Sequence, residues 1–479
     1  MHLPHPPFRR AATAVTTAAL ALTTIAPPLV AAPPATASAA AVGSAGGHAP
    51  VSLRGVHPTG ATYAIEIPAG WNGTVLSFSP GYGQGAGDQR RPAGLGGNAA
   101  AQRWLLDHGY ALAGTRPYGD GWAVEETLRD SATTLTVLAR TAGKPRTTLA
   151  WGSSMGGNIA AGLAERRPDL VDGALPYCAS VAGPVAMLNQ ALDGAFAFTT
   201  LLAPDAGVPL VRLGSAGTEA GANAAARNVL DAAQRTPQGR ARIALSAAFA
   251  QISTWSVTGT PEPAADDWAG QQEQQYAAFM PTVFSPRFPL EQRAGGNLSW
   301  NTGVDYRALL RHSGRTRQVR ALYAAAGLDL DADLTRLGSA PRISADPGAV
   351  AYMERNFTPD GELDVPVLTL HERGDNFPTV TQARAYSDAV RRAGDGPMLR
   401  QAFVDRPGHC GYTGAELVAT VLTLETRVKT GRWGDGAGAP ELGRLAARLA
   451  ARDPDLGTAR FVRFTPDRFL RPHVPGGLR

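Results

Sequence analysis

The sequence predicts an α/β fold: a mostly parallel β-sheet flanked by helices and interrupted by one large helical insertion. Three observations predict it. Apolar strand-like runs alternate with helix-like segments between residues 62 and 177, the order that builds a parallel sheet covered on both faces. The alternation stops near Ser180 and resumes near Asp364, and the stretch between them has helical spacing with little strand character. Finally, Gly152-Ser153-Ser154-Met155-Gly156 joins an apolar run to an Ala-rich one. That is a strand, a tight turn and a helix, with glycines where a side chain would clash across the bend.

The elements follow in order. Residues 1–39 form a secretory signal: Arg9 and Arg10 start it, residues 11–25 are apolar, and Ala37-Ser38-Ala39 is a small-residue cleavage site. Sec export fits better than twin-arginine export, because the residues around the arginine pair do not match the latter signal. Pro27 and Pro28 break the apolar run, which is too short to span a bilayer. No later stretch reads as a transmembrane helix, so no stable membrane insertion is expected. Residues 40–55 read as disordered. The sheet domain then occupies 56–180 and 364–432. Strands fall at 62–67 and 74–78, followed by a glycine-rich loop at 79–85, a helix at 98–108 and a strand at 110–115. In the helix at 124–141, Val124, Leu128, Leu135 and Leu138 share a face. A strand at 147–151 enters the tight turn, a helix leaves it to residue 166, and a strand follows at 173–177. Helical segments at 219–234, 240–255, 268–280, 306–312, 317–325 and 349–356 make the insertion, 181–363, a cap. The sheet resumes with strands at 366–371 and 399–404 and helices at 380–393 and 416–429. An extension, 433–479, carries a helix-like 440–452.

Composition narrows the function classes. A mature chain of about 440 residues is long enough for a large core. Of the 45 basic residues in the full sequence only Lys144 and Lys429 are lysine, a bias of GC-rich coding. The net charge of +5 is small and scattered, with no basic stripe interleaved with aromatics, so nucleic acid is not an expected partner. The nine histidines are dispersed, without H-E-x-x-H or a Cys/His cluster, so no metal and no cofactor is expected. The two cysteines, Cys178 and Cys410, permit one disulfide in an exported protein.

G-x-S-x-G between a strand and a helix is similar to the nucleophile elbow of the α/β-hydrolases. That resemblance makes Ser154 the nucleophile and implies a chain order of serine, acid, histidine. The sequence supplies that order: Glu372-Arg373-Gly374-Asp375 follows one strand and Arg406-Pro407-Gly408-His409 the next. A serine hydroxyl needs a general base, and the base needs an acid to hold its tautomer. His409 and Asp375 are the candidates. Taken singly, Asp375 reads as a turn residue and His409 as a surface histidine; their joint placement after successive strands favours the catalytic reading. Glu372 and Asp405 are alternative acids. His371 is an alternative base that breaks the order.

An attacked carbonyl develops an oxyanion that two N–H groups must hold. In α/β-hydrolases one follows the nucleophile and the other lies after the third strand, which gives Met155 and Tyr82. Pro80-Gly81-Tyr82 and Ser154-Met155-Gly156-Gly157 resemble loops of bacterial cutinase-type polyesterases within the serine esterase and lipase side of the superfamily. The likeness covers about 190 residues; the large insertion departs from the compact cutinase pattern. It implies a secreted serine hydrolase of carboxylic esters, acting on a small or polymeric substrate. A peptidase of the same fold is the alternative, with Glu262, Asp266, Asp267 and Glu273 available to hold a substrate amine. A non-catalytic binding protein on this scaffold is the third reading. Cys178 ends the strand after the elbow helix and Cys410 follows His409, so a disulfide between them ties the histidine loop to the sheet.

Overall fold

The computed structural model describes residues 49–83, 93–119 and 121–475. The signal segment and the end of the glycine-rich loop, residues 84 and 85, lie outside them. In chain order the first elements are β1 (Val51–Val56), β2 (Thr62–Ile67), β3 (Thr74–Ser79), α1 (Ala99–Asp107), β4 (Ala111–Arg116) and α2 (Val124–Ala142). Next come β5 (Thr147–Ser153), α3 (Met155–Arg166) and β6 (Gly173–Tyr177). The insertion holds α4 (Pro184–Leu202), α5 (Ala216–Gln234), α6 (Pro237–Phe249), α7 (Trp268–Val283), α8 (Phe288–Ala294), α9 (Tyr306–His312), α10 (Thr316–Ala325), α11 (Leu330–Ser339) and α12 (Pro347–Phe357). The chain closes with β7 (Val367–Gly374), α13 (Thr381–Ala393), β8 (Leu399–Pro407), α14 (Gly414–Thr430), α15 (Ala439–Arg452) and β9 (Phe461–Val462).

The strands form one sheet in the order β1-β2-β4-β3-β5-β6-β7-β8-β9. Pairing is parallel from β4 through β8 and antiparallel at both edges. The pleat sorts the side chains. Leu149 and Trp151 of β5 join α1, α14 and α15 on one face, while Ala150 joins α3, α12 and α13 on the other. The insertion has cores of its own, centred on Phe196 and Phe249 and on Phe198 and Phe279.

Three expectations need correction. The disorder expected for 40–55 fails from residue 51 onward, because 51–56 pair with β2 as an edge strand. Its burial alternates and only one face packs, so its apolar pattern is short and weak. The expectation that no later stretch has the length and apolarity of a membrane span also fails. α4 meets both criteria, with a mean hydropathy of 1.2 over a window 83% buried inside the protein. It is a core helix, buried on nearly every side, with Asn189, Gln190 and Asp193 taken up by internal hydrogen bonds. The sequence reading also left out α8 and α11, short helices with narrow apolar faces.

Candidate active site

Ser154 occupies the turn between β5 and α3 with φ 57° and ψ −122°, a conformation costing about 1–3 kcal/mol for a residue with a side chain. Its surroundings hold it there. The Ser154 N–H donates to the Tyr177 carbonyl at 3.1 Å, and its own carbonyl accepts from Gly157 N–H at 3.0 Å and Ser180 N–H at 3.3 Å. The flanking glycines are required by close approach. A Cβ on Gly152 would overlap the Gly156 carbonyl, and one on Gly156 would overlap the Ser79 carbonyl. α3 is thereby pressed against the backbone just ahead of Tyr82. No side chain caps α3, and the first N–H groups of a helix have no acceptor within it. Met155 opens that helix, and Tyr82, Ser154 and Met155 line one cavity.

Asp375 directly follows β7 and is completely buried. Its Oδ1 accepts from Phe377 N–H at 2.9 Å. Its Oδ2 lies 2.8 Å from His409 Nδ1 and 3.2 Å from His371 Nε2. His371 Nε2 faces this carboxylate oxygen and, among the described residues, makes no other hydrogen bond. Burial alone would favour the neutral acid. The charge of His409 and the two imidazoles outweigh it and hold the Asp375 carboxyl below the usual range. For His409, burial opposes the charged ring, but attraction and hydrogen bonding to Asp375 push its pKa up.

The His409 side chain remains 30% exposed, and its Nε2 lies 3.3 Å from Cys410 Sγ. Among the described residues no hydrogen bond joins Nε2 to Ser154 Oγ; catalytic hydrogen bonds of this kind often close only around substrate. Phe377 links the two halves. Its ring packs edge-on against His409 at 6.1 Å between centroids and also lines the Ser154 cavity.

Cys178 and Cys410 form a disulfide. β6 and β8 flank β7, so the bridge passes beside the strand end that carries Asp375. Cys178, His409 and Cys410 place donor atoms within 4.8 Å of one another, but the two sulfurs are bonded to each other and offer no thiolate.

The alternative residues have other work. Glu372 is buried, accepts from Gly411 N–H at 2.6 Å and lies in short contact with the Tyr412 hydroxyl. Asp405 pairs with Arg373. Glu262 also binds Arg373, and Asp267 caps α7 by accepting from Gly270 N–H at 2.9 Å. None of the four acids weighed for a substrate amine lines the cavity at Ser154, so that arrangement is not present.

The cavity is small, about 20 Å³, and mainly apolar, walled by Trp122, Met187, Leu290 and Phe377, with the hydroxyl-bearing Ser180 and Ser285. Trp122 brings a buried indole N–H that has no hydrogen-bond partner among the described residues. Sequence reasoning did not find this wall. Met187 and Leu290 are single apolar residues on two different insertion helices, and the conspicuous aromatics Phe196, Phe198 and Phe279 are spent on the insertion's cores.

No family profile matches the chain. Among curated proteins, o-phthalyl amidase of Xanthobacter agilis is 32% identical over 407 residues, spanning 78% of this chain and 87% of that protein. Among solved structures, feruloyl esterase B from Aspergillus oryzae superposes with a TM-score of 0.39 at 13% identity, over 80% of each chain. Proline iminopeptidase from Mycobacterium smegmatis gives a TM-score of 0.33 at 13% identity, over 83% of this chain and all of that one. These two likenesses are too low to bear on activity. The long match to the amidase and the elbow-bearing parallel sheet lead to one conclusion: the chain is a hydrolase of the α/β-hydrolase superfamily and belongs to the family of o-phthalyl amidase.

Proposed function

We propose that this protein is a serine hydrolase that cleaves amides of compact, apolar carboxylic acids, aromatic acids foremost, and cleaves the corresponding esters at the same site. The observation that carries the reading is the hydrogen-bonded Asp375–His409 pair, joined through Phe377 to the cavity that holds Ser154. Ser154 Oγ attacks the acyl carbon. His409 Nε2 takes the hydroxyl proton and returns it to the leaving nitrogen or oxygen, while Asp375 holds the tautomer with the Nδ1 hydrogen. The N–H groups of Met155 and Tyr82 hold the oxyanion. Water, deprotonated by His409, then releases the acid.

Two further observations shape the proposal. The amidase relative favours C–N cleavage over the ester reading that the sequence alone suggested. The cavity's apolar walls favour an uncharged, apolar acyl group. The reading includes export to an oxidising compartment, supported by the basic-then-apolar start of the chain and by the disulfide.

A fluorophosphonate probe and a paired panel of aryl amides and aryl esters, run on wild type and Ser154→Ala, test it. Wild type should be labelled and should hydrolyse both series, and Ser154→Ala should do neither. An unlabelled wild type, or equal labelling of the variant, overturns serine catalysis. Ester turnover with no amide turnover overturns the amide assignment alone.

A further inference from the structure

The Tyr412 hydroxyl poses a proton-counting problem beside the site. It lies 3.1 Å from the Leu370 carbonyl and in short contact with Glu372 Oε2. If Glu372 is ionised, both neighbours are pure acceptors, yet a tyrosine hydroxyl has one hydrogen to give. The other carboxyl oxygen, Oε1, is already an acceptor for Gly411 N–H at 2.6 Å. Every contact is satisfied when Glu372 itself supplies the missing hydrogen. Its Oε2–H then donates to Tyr412 Oη, whose hydrogen goes to Leu370.

The surroundings agree. Among the described residues no cation pairs with Glu372: Arg373 is taken by Glu262 and Asp405, and Arg406 by Glu416. The titratable groups that face Glu372 are Asp375, His409, Tyr412 and the buried Tyr177, with Glu416 acting on Tyr412 from behind. Asp375 keeps its charge through its two histidines. A second buried carboxylate three residues away would have no such partner, and an uncompensated buried charge is costly.

We propose that Glu372 is a neutral carboxylic acid in the working enzyme and, in that form, a positioning residue that fastens the His409 loop to β7. Burial and the charge of Asp375 push its pKa up to about 8, in accord with the hydrogen count. The loop is then held at four successive residues: His409 by Asp375, Cys410 by the disulfide, Gly411 and Tyr412 by Glu372. Such redundancy matters because a displacement of about 1 Å in a catalytic group costs on the order of 10²-fold in rate.

The test compares Glu372→Gln with Glu372→Leu. Glutamine reproduces the neutral acid, since its oxygen accepts from Gly411 and its NH₂ donates to Tyr412. Leucine does neither. The serine-hydrolase reading enters only the kinetic arm. There, the rate of fluorophosphonate labelling should fall at least about tenfold in the leucine variant and stay within about twofold of wild type in the glutamine variant. KM should change little in either. The second arm is independent of activity. The infrared difference spectrum between wild type and Glu372→Gln at neutral pH should show a protonated-carboxyl C=O band present only in wild type. The proposal is overturned if the glutamine variant is labelled as slowly as the leucine variant, if the leucine variant matches wild type, or if the protonated band is missing. If the leucine variant does not fold, the glutamine variant and the infrared band decide. If wild type is not labelled at all, the serine-hydrolase reading falls and the band still decides the protonation state.

Discussion

Asp375 shows what a buried carboxylate needs in order to stay charged. It has one backbone donor, one well-aligned imidazole and a second imidazole at the same oxygen. Replacing it with Asn removes the charge and presents an N–H₂ where His409 needs an acceptor, so the imidazole turns to the wrong tautomer. We expect kcat to fall about 10⁴-fold with the fold intact, measured by amide turnover and a thermal melt. The pH profile follows from His409. Its folded pKa is raised above 6.5, and the base works only when neutral, so the acid limb of kcat/KM should lie above pH 6.5 in wild type. In Asp375→Asn the attraction that raises the pKa is gone and the effect of burial remains, so the limb of the residual activity should move to lower pH. A limb that stays put would mean that the titration does not belong to His409. His371 has a different part from the base weighed for it in the sequence: it is fully buried and faces Asp375.

At the scale of elements, the legible parts were those whose geometry demands particular residues. The elbow was readable because a sharp strand-to-helix turn excludes a Cβ at Gly152 and Gly156. Asp375 and His409 were readable because chain order places them at the ends of β7 and β8, adjacent in the sheet. α4 was not readable, since a helix buried on all sides has no polar stripe to mark its period. The cavity wall was not readable either. Trp122, Met187, Ser285 and Phe377 come from four segments that only the tertiary fold brings together.

α4 nonetheless sets a testable size limit. Met187→Trp should raise KM for benzoyl substrates at least tenfold while a small fluorophosphonate still labels Ser154, as read from paired kinetics. The disulfide joins two elements, β6 and the loop after β8, across a sequence separation of 232 residues. Reduction should cost roughly 2–5 kcal/mol of stability and slow labelling of Ser154, both read before and after a thiol reductant and in Cys178→Ala/Cys410→Ala. Loss of stability with an unchanged labelling rate would reduce the bridge to a structural staple.

The molecule as a whole is fastened by its C-terminal tail. Arg471 Nη1 donates to Asp193 Oδ2 of α4 at 2.5 Å, and its Nη2 donates to the Trp300 carbonyl at 2.8 Å. The Tyr306 hydroxyl donates to Asp193 Oδ1 at 3.1 Å. Next to this pair, Leu470 N–H donates to Gln251 Oε1 at 2.9 Å, and Gln251 Nε2 donates to the Arg468 carbonyl at 2.8 Å. Gln190 contacts Gln251 and donates to Thr379 at 3.0 Å, just after the loop that carries Asp375 and Phe377. The tail therefore links the insertion to the sheet behind the site. Burial pushes the pKa of Asp193 up to about 6 despite the attraction of Arg471. The folded pKa is thus above the unfolded value of 3.8. The folded state keeps its proton longer, so this group's contribution to stability declines as pH rises from about 4 to 6 and is level above that. Arg471→Met leaves Asp193 buried without its cation. At pH 8, where it must ionise or stay protonated at a cost, we expect a loss of about 3–5 kcal/mol. At pH 5 the neutral acid needs no cation, and the loss should shrink to less than half. Denaturant midpoints of wild type and Arg471→Met at both pH values measure this. Equal losses at pH 5 and pH 8 would show that Arg471 fastens the tail by packing of its side chain, not by its charge.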